Sequence, residues 1–441
     1  MNIDIIKTIY DKSPNVIKFT LGKLIRNKLI NNKIFKDQYN LLVQSDFWNK
    51  EKKGEYQFNL LKETLIHAYE NTIYYHKLFD DVNFNPYKFS DISEFKVIPY
   101  LTKEKIRTEF DKLKAYDIPN YYSAKTGGTT GKPIEILLDK NSIYKERAFV
   151  YHYWSHFGFN YKKSKLITFR EVEFSGKQFK YNPMYNEIIL NPFLLCNDNF
   201  IYYVNRINRF GGDFFYGYPS LISNFCRMIK NNGSCLEKKV KGVFLISENV
   251  YPDQIKIIKE VLDCPISIFY GHTERAVFAE MYNNNYYFNN LYCFEEIIDT
   301  NEGNIVTTGF LNGKMPLIRY LVDDVAEETS LDVYKITGHR GNECLYGKNG
   351  EVISAVAIEF GHSGAFKNVI EYQFEQNKLG EVIFRIKTEE KISEDEVCAI
   401  KQEMNKRLPY FDCKIITNSN IKRSARGKYK MIIQNLKENQ L

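Results

Sequence analysis

No stretch of the 441-residue chain approaches the ~20 consecutive apolar residues that a bilayer span requires. The opening segment, MNIDIIKTIYDKSPNVIKFTLGKLIRNKLI, alternates charged with apolar side chains and so lacks the uninterrupted apolar core of a secretory leader. Both absences predict a cytoplasmic protein. The eight cysteines, at 196, 226, 235, 264, 293, 344, 398 and 413, include no pair two or four apart, which argues against a zinc knuckle and a disulfide framework. The formal net charge is only +7 and is spread along the sequence, so there is no basic arm and no nucleic-acid partner is expected. Internal repeats and low-complexity tracts are missing too, apart from a polar turn at Asn283-Asn284-Asn285.

The organisation suggests a large α/β unit followed by a smaller α+β unit; the length suits two domains of unequal size against a prior of about 150 residues per domain. Residues 59 to 79 have helical periodicity, and Thr102 is a suitable N-cap for a second helix running to about Leu113. Short apolar runs at 165 to 169, 240 to 246 and 266 to 270 read as buried strands. They alternate with helices starting at Pro219 and Pro252, the first closed by Gly233. That alternation predicts a largely parallel sheet. Beyond about residue 340 the texture changes to paired strands, 369 to 375 and 381 to 387, across a Gly380 turn. A helix to Arg407 behind the capping box Ser393/Glu396 and a strand at 413 to 417 follow. Residues 16 to 30 make a basic amphipathic helix able to lie on a membrane surface, although packing onto its own domain is the commoner fate.

Against this background, TGGTTGKP (126 to 133) is unusual: three glycines, three threonines and a lysine fall in eight positions. Glycines allow a tight loop with inward N–H groups, and threonine hydroxyls and a lysine ammonium add donors around the same hollow, an arrangement suited to a polyphosphate. It is not the common nucleotide loop. Thr126 stands where the first glycine of that signature belongs, and Pro133 stands where a magnesium-binding hydroxyl should follow Lys132. A plain glycine-rich hairpin connection is the alternative.

Further segments follow in a telling order. IFYGHTERAVFAEM (268 to 281) places Tyr270-Gly271-His272-Thr273-Glu274 after a strand, at the carboxyl end where α/β sheets bind ligands. GKMPLIRYLVDDVAE (313 to 327) holds Arg319, Asp323 and Asp324; ITGHRGNE (336 to 343) lies at the change of texture, and KRSARGKYKMII (422 to 433) is a basic loop near the C-terminus. Arg319 and Asp323 also read as a surface ion-pair residue and a solvated turn residue, and His152, His156 and His272 as packed or surface imidazoles. In this order the segments resemble the adenylate-forming superfamily of acyl-CoA synthetases and related ligases. The likeness is greatest to the phenylacetate–coenzyme A ligase-like branch and its capsular polysaccharide biosynthesis (CapK-like) members. It runs from about Lys96 to Leu436, with FKVIPYLTKEKI, FFYGYPS and VIEYQFEQNKLGEV in support.

The resemblance implies a large multi-sheet N-terminal adenylation domain at 1–337 with a helical lead-in at 1–50, a hinge at 338–342, and a small mobile lid at 343–441. It implies an ATP- and magnesium-dependent, AMP-forming ligase. Thr126, Gly127, Gly128, Thr129, Thr130, Gly131 and Lys132 would surround the β- and γ-phosphates. Tyr270 and Gly271 would neighbour the adenine, His272 would belong to the same ATP/AMP site, Thr273 would touch phosphate, and Glu274 would hold magnesium. Asp324 would bind the ribose hydroxyls, Arg340 would serve at the hinge, and Lys428 would be the catalytic lysine of the lid.

Two departures qualify the transfer. Relatives show Tyr-x-Thr-Gly-Asp where this chain has Tyr320-Leu321-Val322-Asp323-Asp324, and Gly-Arg where it has Gly338-His339-Arg340. Some relatives carry a cysteine- and histidine-based metal site after the Thr-Glu motif; here Met281 and a lone Cys293 stand in that region, so no structural zinc is expected. The partners implied are a small-molecule carboxylate and a thiol, amine or sugar acceptor, with coenzyme A as one candidate; a homodimer is left open. The leading expectation is acid activation for surface polysaccharide assembly. An aryl- or acyl-CoA ligase is the alternative, and a non-catalytic nucleotide-binding scaffold is disfavoured by Lys132 and Lys428.

Overall fold

The computed structural model describes residues 15–125, 134–170, 176–191, 194–247, 250, 252–298, 303–337, 344–354, 358, 364–366, 369–388, 392–417, 421–422 and 431–436. Helices lead the chain: Asn15–Ile30, Lys33–Ser45, Lys50–Asn71 and Ile73–Asp81. The single helix expected over 59 to 79 is two. Thr72 adopts an extended conformation, its hydroxyl donating to the Ala68 carbonyl at 2.8 Å and accepting from the Tyr75 N–H at 3.1 Å, so one residue ends a helix and caps the next. Thr102 does cap a helix, but that helix stops at Thr108 rather than Leu113. The Lys112 carbonyl is taken by the Tyr74 N–H of another segment, a tertiary contact that periodicity cannot report.

The basic helix Asn15–Ile30 packs on its own chain. Ile25 is buried, and Arg26 donates to the carbonyls of Tyr161 and Lys162 at 2.8 and 3.1 Å. Among the described residues no helix is long and apolar enough to cross a membrane.

Among the described residues twenty strands follow. In chain order they are β1 (Tyr121–Lys125), β2 (Glu135–Asp139), β3 (Leu166–Phe169), β4 (Phe179–Asn182), β5 (Glu187–Leu190), β6 (Phe214–Gly217), β7 (Gly242–Leu245), β8 (Ile266–Gly271), β9 (Phe278–Tyr282) and β10 (Asn285–Phe288). Then come β11 (Cys293–Ile298), β12 (Asn304–Gly309), β13 (Tyr320–Ser330), β14 (Val333–Thr337), β15 (Cys344–Tyr346), β16 (Val352–Ser354), β17 (Val369–Lys378), β18 (Glu381–Thr388), β19 (Asp412–Ile416) and β20 (Ile432–Gln434). Twelve of them form one sheet in the order β11-β12-β13-β14-β10-β9-β8-β7-β6-β3-β5-β4. The expected parallel sheet is only half of it: β5, β3, β6, β7 and β8 run parallel, whereas β8 through β14 pair antiparallel. The switch is made between β8 and β9, which pair antiparallel across the loop 272 to 277; the next hairpin, β9 to β10, turns at Asn283-Asn284, where both residues have positive φ.

Successive residues of the parallel block face opposite cores. Phe214 and Phe244 point into one with Trp154, which stacks on Phe244 at 4.3 Å and 4°; Phe215, Val243 and Leu245 point into the other with Phe169. Gly217 ends β6 at φ 147°. A Cβ there would lie 1.9 Å from the Phe169 carbonyl oxygen, the same atom that accepts the Tyr218 N–H at 2.9 Å, so only glycine lets these strand ends meet before Pro219 starts the helix Pro219–Asn231.

The C-terminal strands form a four-stranded sheet, β19-β18-β17-β20, with the helix Glu394–Arg407 entering through the expected Ser393/Glu396 capping box. Gly380, at φ 71°, makes the expected turn. Phe374, Phe384, Ile386, Ile400 and Met404 close a separate core. The Tyr410 hydroxyl donates to the Leu195 carbonyl at 3.1 Å, a contact back to the larger part of the chain.

Candidate active site

Strand β8 carries Tyr270 and Gly271 to the middle of the large sheet, and the loop 272 to 277 turns back into β9. The turn places Arg275 at φ 54°. Gly309, at the end of β12, makes this possible, since a Cβ there would sit 2.8 Å from Ala276 Cα and 2.9 Å from the Arg275 carbonyl.

Asp324 comes from β13. Between the pairs Val306↔Leu321 and Asn304↔Val325 the register shifts, so β13 has more residues than β12 across Asp323 and Asp324, an irregularity of the kind that re-aims side chains. The Asp324 Oδ2 accepts from the Tyr270 hydroxyl at 2.8 Å and lies 2.9 Å from His272 Nε2, with the two rings edge to face at 4.7 Å. Residues 54 apart in sequence thus meet at one carboxylate oxygen. Burial alone would lower the His272 pKa, but the hydrogen bond and charge of Asp324, aided by Glu274, outweigh it and hold the imidazole above its ordinary value. Burial and the same carboxylates push the Tyr270 phenol well up, so it stays a donor.

Glu274 is 6% exposed, and the buried Tyr320 hydroxyl donates to its Oε1 at 3.1 Å. Tyr320 opens β13, so one strand positions both the Glu274 partner and Asp324. A carboxylate oxygen oriented this way is the donor type that magnesium takes.

Strands β1 and β2 pair antiparallel from Tyr121↔Asp139 to Lys125↔Glu135 and flank TGGTTGKP. The predicted phosphate residues Thr126 to Gly131 and Lys132 lie outside the described residues, as do Arg340 at the hinge and the lid lysine Lys428. The hairpin is nonetheless tied to the Thr-Glu loop. Arg275 donates to the Ser142 hydroxyl at 2.5 Å, and its guanidinium lies 5.7 Å from the Tyr122 ring centre. Sequence reasoning missed Arg275, although it directly follows the motif.

Arg319 proves to be a clamp rather than a surface ion-pair residue. It is 4% exposed, binds Glu296 through Nε and Nη2 at 2.9 and 2.7 Å, and donates to the Lys96 and Ile98 carbonyls. It therefore fixes the FKVIPY segment onto β11. The strain of its φ of 48° is borne next to Tyr320, the residue that holds Glu274.

Comparison with known proteins bears on the fold that carries these residues. Residues 345–435 match the CapK C-terminal domain. The protein CapK of Staphylococcus aureus is 23% identical over 97% of this chain and 99% of its own length. A crystal structure of 2-hydroxyisobutyryl-CoA ligase with 2-HIB-AMP and CoA in the thioesterification state superposes with a TM-score of 0.55 at 14% identity, over 88% of this chain and 91% of that one. The chain has the fold of the adenylate-forming ligases. Phenylacetate-coenzyme A ligase of Escherichia coli (strain K12) is 32% identical over 90 residues, 20% of each chain. On this fold, Tyr270, His272 and Asp324 meet at the end of a central strand, where the mixed sheet changes from parallel to antiparallel pairing.

Proposed function

We propose that the protein is an ATP-dependent, AMP-forming carboxylate ligase acting in the cytoplasm on a small acid destined for surface polysaccharide. The observation that carries this reading is the meeting of Tyr270, His272 and Asp324 at the end of β8, with the buried Glu274 two residues beyond His272. In the proposed reaction a carboxylate oxygen attacks the α-phosphorus of ATP, the bond to the bridging oxygen breaks, and pyrophosphate leaves. An acceptor thiol, amine or sugar hydroxyl then takes the acyl group and releases AMP and a proton. Asp324 would accept both ribose hydroxyls, Tyr270 and Gly271 would flank the adenine, and Thr273, Thr126, Thr129, Thr130 and Lys132 would contact phosphates. A magnesium ion at Glu274 would screen the repulsion between the phosphates and the incoming carboxylate. Residues 1–337 would form the adenylation domain, and 343–441 would close over it about 338–342, with Arg340 at the hinge. Lys428 would then lie against the reacting oxygens.

A second reading, an aryl- or acyl-CoA ligase, is favoured by the likeness of a 90-residue stretch to phenylacetate-coenzyme A ligase. Dependence of product formation on coenzyme A separates the two. Carboxylate-dependent exchange of labelled pyrophosphate into ATP, screened over aromatic, amino and uronic acids, tests what they share. A unit charge ~4 Å from the reacting oxygens is worth up to about 4 kcal/mol at an effective dielectric near 20, so Lys428→Ala should lower exchange about a thousandfold. It should spare the reaction of a supplied acyl adenylate with its acceptor. Exchange at the parent rate in Lys428→Ala would remove that lysine from the mechanism, and no exchange with any acid would count against the ligase reading.

A further inference from the structure

The helix Ser142–Ser155 carries a histidine pair that the nucleotide site does not use. His152 and its C-cap His156 are four residues apart and so project from the same face. Both reach Asp46, the C-cap of the helix Lys33–Ser45. His152 Nε2 lies 3.0 Å and His156 Nε2 3.5 Å from the same Asp46 Oδ2, and the ring centres are 4.8 Å apart.

The protons in this cluster can be followed. Tyr282 has one, and it donates it to Glu280 Oε2 at 2.9 Å, where Asn289 also donates to Oε1 at 2.9 Å. The Tyr282 oxygen, 2.8 Å from His156 Nδ1, must therefore accept from that nitrogen. In a neutral His156 the proton is then on Nδ1, and Nε2 turns a lone pair toward a carboxylate oxygen. That contact is repulsive unless a positive charge stands between the two atoms. The tyrosine and glutamate supply the outer hydrogen bonds that orient a metal-ligating histidine.

The spacing suits an ion. Tetrahedral bonds of about 2.0 to 2.1 Å place neighbouring donor atoms roughly 3.3 Å apart, and the Asp46 distances of 3.0 and 3.5 Å bracket that edge. All three donor atoms lie within 4.8 Å of one another. His152 is 3% exposed and its Nδ1 has no hydrogen-bond partner, so among the described residues Nε2 carries the polar contact of a buried ring. Asp46 and His156 are exposed on a cleft of about 490 Å³, also lined by Lys53, Tyr287 and Asp332, which gives an ion a way in and leaves a coordination position open. Two imidazoles and a carboxylate select zinc, cobalt or nickel over magnesium.

We propose that Asp46, His152 and His156 bind one divalent transition-metal ion of the zinc class, with its remaining coordination position facing the cleft. The residues after the Thr-Glu motif gave no reason to expect zinc, and this cluster lies elsewhere. Bound there, the ion joins the end of the Lys33–Ser45 helix to the Ser142–Ser155 helix and, through Tyr282, to β9.

The test uses the full chain after chelator treatment. Cobalt(II) titration should develop the intense visible absorption of a low-coordinate centre and saturate at one equivalent, and zinc should displace the colour and raise the melting temperature. His156→Ala and Asp46→Asn should each weaken binding at least about tenfold and remove the zinc-dependent thermal shift. Circular dichroism reports whether each variant is folded. Should His156→Ala not fold, His156→Gln and Asp46→Asn, both at exposed positions, carry the same comparison. No absorption above that of hydrated cobalt, or parental affinity in the folded variants, would overturn the proposal.

Discussion

Two aspartate–histidine contacts in this molecule look alike by distance and differ in their protons. At Asp324, His272 Nε2 sits 2.9 Å from Oδ2; at Asp46, His152 Nε2 sits 3.0 Å from Oδ2. Around Asp324 the second neighbour is a tyrosine hydroxyl that has a proton to give, so the carboxylate oxygen is supplied with donors from two sides. Around Asp46 the second neighbour is another imidazole, whose Nδ1 proton is committed to Tyr282. At the first site the protein itself supplies a donor to the carboxylate, and its proposed role is to accept ribose hydroxyls. In the second, a neutral His156 would hold a lone pair against a carboxylate, a contact that a cation between them relieves. Separation alone would have classed the two together; the donor inventory parts them.

The largest expected effect that breaks the comparison is on nucleotide use. Asp324→Ala removes the proposed acceptor for two ribose hydroxyls and the carboxylate that Tyr270 and His272 contact. A charge-assisted contact of roughly 1.5 to 3 kcal/mol corresponds to a rise of one to two orders of magnitude in the ATP concentration needed for pyrophosphate exchange. Asp46→Ala should leave that concentration unchanged. Equal sensitivity of the two variants would mean that the Asp46 cluster belongs to the nucleotide site. Greater sensitivity of Asp323→Ala than Asp324→Ala would shift the ribose assignment by one residue.

A smaller effect sharpens the metal side. Tyr282→Phe keeps the ring and its packing on Tyr153 but deletes the oxygen that receives the His156 Nδ1 proton. Cobalt affinity should fall by about tenfold, the usual cost of removing an outer-shell partner, with no change in ATP use. Unchanged cobalt affinity would show that Tyr282 does not set the His156 tautomer.

What the sequence could reveal follows from how far apart the interacting residues lie. The Tyr270–Glu274 motif, the Gly380 turn and the Ser393 capping box are local, and each was legible because residue identity fixes conformation over a few positions. Thr72 was local as well, but a hydroxyl that ends one helix and caps the next is hidden inside a continuous apolar period. The i, i+4 spacing of His152 and His156 was visible; Asp46, 106 positions away, was not, and without it the pair reads as packing. Arg319 was misplaced for the same reason, because its partners Glu296, Lys96 and Ile98 come from separate segments. The antiparallel half of the large sheet escaped notice because its strands pair through turns and a shifted register that only the folded chain defines.

The smallest effect concerns pH, and its sign distinguishes the Asp324 contact from an uncharged hydrogen bond. The groups facing the His272 ring are Asp324, Glu274, Tyr270 and Lys103; burial and Lys103 disfavour the imidazolium, while the two carboxylates favour it and prevail, leaving the pKa raised in the folded protein. A raised folded value means that the native state holds its proton more tightly than the unfolded chain does. The stability this pair contributes is therefore fully present below the unfolded histidine value of about 6.5, and is lost as pH rises through the higher folded value. Without nucleotide, the melting temperature of the parent should exceed that of Asp324→Asn by more at pH 6 than at pH 8. His272→Gln should show the same loss of pH dependence as Asp324→Asn, since each deletes one half of the pair. A gap between parent and variant that stays constant from pH 6 to pH 8 would mean that the imidazole is neutral in the fold, and would leave Tyr270 as the donor that positions Asp324.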